Sequence, residues 1–520
     1  MVIKINDDFL EETLAKVERV RTWSPRVISK LENSIRTAED EDLFRLNPLQ
    51  WASQKNVDEY EALDLFLHGA KAGLFYMDWN VICPCCGKVM RSLRDLHGLQ
   101  SQNTCTVCFL KDQATLDDYV QITFTLSPSV RALRFHQPGS LSLEEYCFKY
   151  LYEPSARTSG ILTLRDVLQM FQKHFSTFSP GENITVETEI GPGILSCVDL
   201  FGQGSFGLLA NGEPASETQK IAVQLTDSGF KVSLPEMQPG EFNVGPNAYS
   251  GTFYHIRPGK LVLEFEQQAA AQAALMVVLF PIYGMPTDLQ MPAGVDSEGM
   301  TGKEMLPDMQ FSSPRLTARR LFACQTFHDL FRAEVFQESQ GFGVKDVTIL
   351  FTDLKSSTQL YQQIGDLNAF ALVREHYGVL NKAIVNQHGA VVKTIGDAIM
   401  ATFNQPVEAV GAGLEMLTEL RKLNQTSAHG ALILKIGIHR GAAISVTLNE
   451  RIDYFGQTVN IAARVQNSAG GDEIYLTEEI YTASGVLELL QKYGCKIESI
   501  PVQLKGIEQQ MKIYKVTGSN

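Results

Sequence analysis

The chain has 520 residues, 44% hydrophobic and 20% charged, a globular make-up long enough for two to four domains. Its formal net charge of −14, with no basic run or RNA-binding signature, excludes nucleic acid as the main partner. The acidic N-terminus lacks a signal-peptide core, and the longest apolar run, Ala269 to Met285, is broken by glutamine and proline.

A buried strand therefore fits that run better than a membrane span, and a soluble, cytoplasmic protein is expected. Nine cysteines, an odd number without secretory context, point to reduced thiols rather than disulfides.

Residues 1–80 read as a helical N-terminal region, since "LEETLAKVERVRTW" and "DEYEALDLFLHGAKAGLF" carry apolar residues at helical spacing. Residues 81–112 hold the pairs Cys83-x-x-Cys86 and Cys105-x-x-Cys108, separated by 18 residues. That spacing fits a zinc ribbon, and four thiolates close a tetrahedral Zn2+ site, leaving no position for chemistry. The bland alternative is four free thiols. Cys85 lies between two of these residues and is a substitute ligand, while Cys147, Cys197, Cys324 and Cys495 read as ordinary buried thiols.

From 113 to 285, short apolar runs broken by Gly and Pro, such as "GILSCVDLFG" and "KLVLEFEQ", predict a β-rich regulatory domain. The glycine-rich "GQGSFG" lies here, but no helix start follows it, so turn glycines are the better reading. "HRG" at His439 is not a kinase catalytic loop, and "GMTGKEM" lacks the first glycine and the Ser/Thr of a P-loop. Residues 286–340 read as a linker followed by an amphipathic coupling helix within Arg315 to Gln337. There Phe327, Leu330, Phe331 and Val335 share one face. The stripe suits either core packing or a helix that transmits a signal to a dimer partner.

Residues 341–520 show strand, helix, helix, hairpin, helix, strand, helix, strand: an α+β domain with a sheet covered by helices. "VTILFTDLKSST" and "VVKTIGDAIMATF" each place an aspartate, Asp353 or Asp397, at the end of an apolar strand. Each alone is a turn residue or helix cap. Two on neighbouring strands suit hard-oxygen ligation of a pair of Mg2+ ions. The helix start after Lys355 offers free amides for phosphate oxygens. Asn460 and Arg464, at i and i+4, project from one helix face in an otherwise apolar stretch.

These stretches resemble the catalytic domain of the class III adenylyl/guanylyl cyclases, a ferredoxin-like α+β fold. "TILFTDLKSST", "VKTIGDAIMATF", "KIGIHRG", "FGQTVNIAAR" and "VQLKG" carry the resemblance, in the family's order, from Val344 to about Val516. The resemblance implies that Asp353 and Asp397 bind two Mg2+ or Mn2+ ions, joined by the carbonyl of Leu354. It implies that Lys393 and Asp453 read the base, that Asn460 and Arg464 stabilise the transition state, and that Lys505 holds the polyphosphate. Lysine donates and aspartate accepts, which complements adenine and mismatches guanine, so ATP is the expected substrate.

The segment "AAISVTLNERIDYFGQ" is shorter than in many relatives. Aligned without gaps on Gly456, Asp453 reads the base; aligned on "R-x-D-Y" with a gap, it is structural. The ungapped register is preferred. The family's shared active sites imply a homodimer with two equivalent sites. "GLFYMDWNVICPCCG" resembles an uncharacterised domain fused to bacterial cyclases, which implies regulation by a ligand or protein bound to the N-terminal region.

Overall fold

The computed structural model describes residues 4–84, 86–113, 115–117, 119–158, 162–163, 171–202, 204–234, 240–244, 247–280, 309–426, 431–504 and 510–518. Cys85 and Lys505, both singled out above, lie outside the described residues.

Five helices open the chain: α1 (Asp7–Glu18), α2 (Val27–Thr37), α3 (Asp40–Leu43), α4 (Pro48–Lys55) and α5 (Glu59–Ala72). Asp58 starts α5 by accepting from the amides of Tyr60 and Glu61, which satisfies two free first-turn N–H groups. Three strands follow, β1 (Phe75–Ile82), β2 (Val89–Leu93) and, beyond the cysteines, β5 (Val120–Leu126). They form a sheet in the order β2-β1-β5. Strand alternation gives this sheet one apolar face, Phe75, Met77, Trp79, Ile122 and Phe124, which packs on the helices. The short strands β3 (Gln102–Thr104) and β4 (Leu110–Gln113) carry the second cysteine pair.

The middle of the chain is β-rich among the described residues. A five-stranded sheet and a four-stranded sheet enclose their own core, which includes Leu195, Phe206, Leu263 and Val277. Ala273–Phe280 is a buried central strand, as expected for the longest apolar run. Ser205 to Gly207 of the glycine-rich motif lie in a strand rather than at a helix start. No helix among the described residues is long and apolar enough to cross a membrane.

The expected continuous helix within Arg315–Gln337 is corrected. The chain forms two short helices, α6 (Ala318–Phe322) and α7 (Gln325–Leu330), broken where Cys324 is extended. The break lets Phe322 and Phe327 both close on Trp79, with ring centroids 6.1 and 6.0 Å away. Of the apolar stripe, Phe327 is buried in the core, and Leu330, Phe331 and Val335 pack half-buried against it.

The last region is built on β6 (Gly341–Leu354), β7 (Ala390–Ile395), β8 (Ala398–Phe403), β9 (Leu434–Leu448), β10 (Arg451–Phe455), β11 (Glu473–Thr477), β12 (Lys496–Val502) and β13 (Met511–Thr517). The sheet runs β7-β8-β6-β9-β11-β13-β12, with β10 folded back on β9. Helices α8 (Ser357–Ile364), α9 (Asp366–Asn386), α10 (Pro406–Thr426) and α11 (Gln457–Ser468) complete the frame. One sheet face, Leu350, Ala401 and Ile436, packs on α9 and α10. The opposite face, Ile349, Phe351, Val392 and Met400, belongs to the same apolar core as the N-terminal helices and Trp79. Helix α9 ends at Asn386, and His388 just beyond it takes the left-handed backbone, at φ +60°.

Candidate active site

Asp397 occupies the second position of a two-residue hairpin loop, since Ile395 pairs with Ala398. Gly396 supplies the positive φ (+63°) that such a loop needs at its first position. The sequence Ile-Gly-Asp-Ala is thus the smallest turn that can hold a carboxylate at a strand end. Asp353 lies near the end of β6, opposite Lys435 of β9. Strands β6 and β8 are antiparallel, and Phe351 pairs with Met400. Thr352 Oγ1 also accepts from Ile399 N at 3.1 Å. That register brings the two aspartates together.

Burial first, and then the charge of Asp397, pushes the Asp353 carboxyl above its usual range, while Lys435 opposes the shift from 3.9 Å. Asp397 Oδ2 is buried without a hydrogen-bond partner among the described residues. A carboxyl raised by the charge of its neighbour, beside a carboxylate oxygen without a partner, fits a divalent cation between the two. Asp353 does not cap α8: Ser356 does, at φ +58° and without a side-chain bond. Leu354 follows Asp353 at the strand end, its side chain buried in the opposite core.

Lys393 and Asp453 meet. Asp453 Oδ2 accepts a 2.6 Å bond from Lys393 Nζ, and Oδ1 accepts from Tyr454 N at 2.7 Å. The aspartate side chain is 9% exposed and the lysine 36%. Strand β10, which the sequence pattern did not reveal, makes this contact by laying Asp453 opposite Val446 of β9.

Asn460 and Arg464 lie on α11, which crosses β9 and β6. Gly437 permits that crossing, because a Cβ there would meet Gln466 N at 2.2 Å. Asn460 is exposed and Arg464 half-buried, and neither pairs with an aspartate of its own chain among the described residues. The chain thus unites Asp353 with Asp397 and Lys393 with Asp453, and leaves Asn460 and Arg464 open.

Sequence reasoning missed the residues that enclose Asp397. His376 is fully buried beside Asp397, and burial lowers its pKa to about 4. Burial and the Asp397 charge raise Tyr361 to about 12, and Tyr377 donates to the Gly396 carbonyl. The available signal was one histidine on the apolar stripe Leu372, His376, Leu380 of α9.

The cysteine cluster is a second centre. The four Sγ atoms of Cys83, Cys86, Cys105 and Cys108 lie within 4.8 Å of one another. Cys83–Cys108 and Cys86–Cys105 are each 3.6 Å apart, close to the roughly 3.8 Å set by a tetrahedron with Zn–S of about 2.3 Å. The two knuckles repeat one turn. Cys83 N donates to Lys88 O and Gly87 N to Cys83 O; Cys105 N donates to Leu110 O and Phe109 N to Cys105 O. Gly87 and Phe109 take the same left-handed backbone, at φ +67° and +61°. A phenylalanine held there marks a turn fixed by its surroundings.

Residues 341–518 match the family described as adenylate and guanylate cyclase catalytic domain. The C-terminal third carries a class III cyclase catalytic domain. Residues 11–252 match a family of unknown function, DUF5939. Similar curated proteins include an adenylate cyclase of Anabaena cylindrica, 30% identical over 33% of this chain and 36% of that protein. A guanylate cyclase 32E of Drosophila melanogaster is 26% identical over 33% of this chain and 15% of its own length. The chain spans about a third or less of these relatives. The crystal structure of the adenylyl cyclase CyaB from P. aeruginosa aligns at a TM-score of 0.31 and 22% identity, over 35% of this chain and 97% of that one.

Proposed function

We propose that the protein converts ATP to 3′,5′-cyclic AMP and pyrophosphate. The observation that carries this reading is the approach of Asp353 to Asp397, whose Oδ2 is buried without a hydrogen-bond partner among the described residues, beside a lysine–aspartate pair on the same sheet face. Asp353 and Asp397, with the Leu354 carbonyl, would hold two Mg2+ or Mn2+ ions. Such ions lower the pKa of the ribose 3′-hydroxyl and neutralise triphosphate charge.

The remaining steps fall to side chains. Lys393 donates to adenine N1 and Asp453 accepts from its 6-amino group, each exchanging its present partner for the base. Asn460 orients the ribose so that its 3′-oxygen lies in line with the α-phosphorus. Arg464 stabilises the charge that grows on the α-phosphate oxygens as pyrophosphate leaves. Lys505 would bind the polyphosphate. Because Asn460 and Arg464 find no carboxylate of their own chain among the described residues, the reading includes a homodimer whose sites draw these residues from the second copy.

The cysteine cluster in this reading is a structural zinc ribbon, and the N-terminal region regulates turnover. Cyclic product formation from ATP, GTP, CTP and UTP with Mg2+ or Mn2+, against an Asp397→Ala control, tests the reading. ATP should dominate and the control should be silent. No cyclic product from any nucleotide, or an equally active control, refutes it. GTP as the best substrate moves the reading to a guanylate cyclase.

A further inference from the structure

Strands β1 and β5 are buried along most of their length, and their face away from Trp79 is largely polar. Asp78, Asn80, Gln121, Thr123 and Thr125 lie there, each at most 5% exposed. Most are satisfied: Thr125 donates to Asp78 at 2.7 Å, Asn80 donates to Thr123 at 2.9 Å, and Ser92 donates to Asn80 at 2.8 Å. Gln121 differs. It is 2% exposed and its Oε1 has no hydrogen-bond partner among the described residues. A buried amide kept unpaired is costly unless something binds it.

Asn80, Gln121 and Thr123 form the floor of a cavity of about 460 Å3 between the sheet, α3, α4 and residues 148–157. Its walls include the rings of Phe44, Trp51, Phe148 and Tyr152, flat apolar surfaces suited to a planar ligand. Its charges are unbalanced. Arg45, Lys55, Lys149 and Arg157 line it, and none has a carboxylate within ion-pair distance among the described residues. Among the described residues, the guanidinium groups of Arg45 and Arg157 donate to backbone carbonyls. Three acids line it beside these four cations: Glu41 is paired with Arg134, while Asp42 acts on Lys149 and Glu153 on Arg45 from beyond ion-pair distance. In a chain of net charge −14, a cavity with surplus cations is distinctive.

We propose that this cavity binds a small planar anion, a ring bearing one carboxylate or phosphate and an amide-like edge that pairs with the Gln121 carboxamide. The last torsion of Gln121 is soft, so either end of the amide can turn to the ligand. The site also lies on the path to the catalytic hairpin. Gln121 bridges Thr317, the N-cap of α6, and Ile122 N donates to Leu316 O. From α7, Gln325 Oε1 accepts from Val391 N at 2.8 Å, on the edge strand that carries Lys393.

Titration of the full-length protein with orotate and with 5′-AMP, followed by tryptophan emission, tests the site. A saturable change at or below millimolar concentration is expected with at least one probe. Orotate alone identifies a carboxylate ligand and 5′-AMP alone a phosphate. Uracil and adenosine, which lack the charge, should bind at least tenfold more weakly. Lys149→Glu at the rim and Gln121→Leu at the floor should each weaken binding at least tenfold. Ligand-free Gln121→Leu should melt no lower than the wild type, because it removes an unpaired polar group. Neither probe binding, uncharged analogues binding equally, or undiminished binding in Lys149→Glu overturns the proposal.

Discussion

The two clusters of ligand-type side chains are built in opposite ways. Four buried thiols at 83, 86, 105 and 108 converge from two copies of one turn, complete within a single chain. The aspartates at 353 and 397 sit at strand ends, one still a third exposed, while Asn460 and Arg464 stand apart from them. A closed sulfur tetrahedron suits a structural ion, and two carboxylates with open positions suit turnover. On the proposed reading, the first centre should govern folding and the second chemistry, with little exchange between them.

The largest effects come from breaking each centre in turn. Asp397→Ala should abolish cyclic nucleotide formation while leaving the ligand-free melting temperature unchanged or raised, since it removes a buried, unpaired carboxylate oxygen. Calorimetry beside product analysis checks this; a large loss of stability would make Asp397 a structural residue. Cys105→Ser should do the reverse, losing bound zinc and the ribbon's fold. Zinc contributes on the order of 10 kcal/mol to small zinc modules. Metal analysis should find about one zinc per chain in the wild type, and folded, zinc-free wild-type protein would refute the ribbon.

A smaller effect is expected at the base. Lys393→Glu replaces the proposed base donor by an acceptor, so kcat/KM for ATP should fall relative to GTP by about 10²-fold or more. An unchanged ATP/GTP ratio would leave Lys393–Asp453 as a structural ion pair, the gapped reading of "RIDYFG".

The smallest effect concerns the link between the halves. His328 Nε2 bonds the Phe322 carbonyl at 2.8 Å, and burial holds its pKa below the ordinary 6.5. The unfolded chain therefore takes up a proton first. Stability should fall as pH drops from about 6.5 through the lowered folded value. His328→Gln should flatten that part of the pH–stability curve, which thermal melts between pH 5 and 8 would show.

Much of the candidate site was legible because its carriers are local. Ile-Gly-Asp-Ala is a turn signature, and Asn460 with Arg464 needs only helical spacing. Strand β10 was not legible: "RIDYF" is five residues whose status depends on pairing with β9. Nor was the break between α6 and α7, because one helical stripe and two short helices wrapped around Trp79 share the same periodicity. The pocket of His376, Tyr361 and Tyr377 around Asp397 joins residues from two helices and a hairpin. Only tertiary packing reveals such a set.

Complementation tests the central claim most directly. Asp397→Ala and Arg464→Ala chains, each inactive alone, are co-expressed, purified together and assayed with ATP and Mg2+. A site assembled from two copies predicts that the mixed dimer regains cyclic AMP formation, since one of its two interfaces carries both intact sets. A mixture as inactive as either variant would contradict that account.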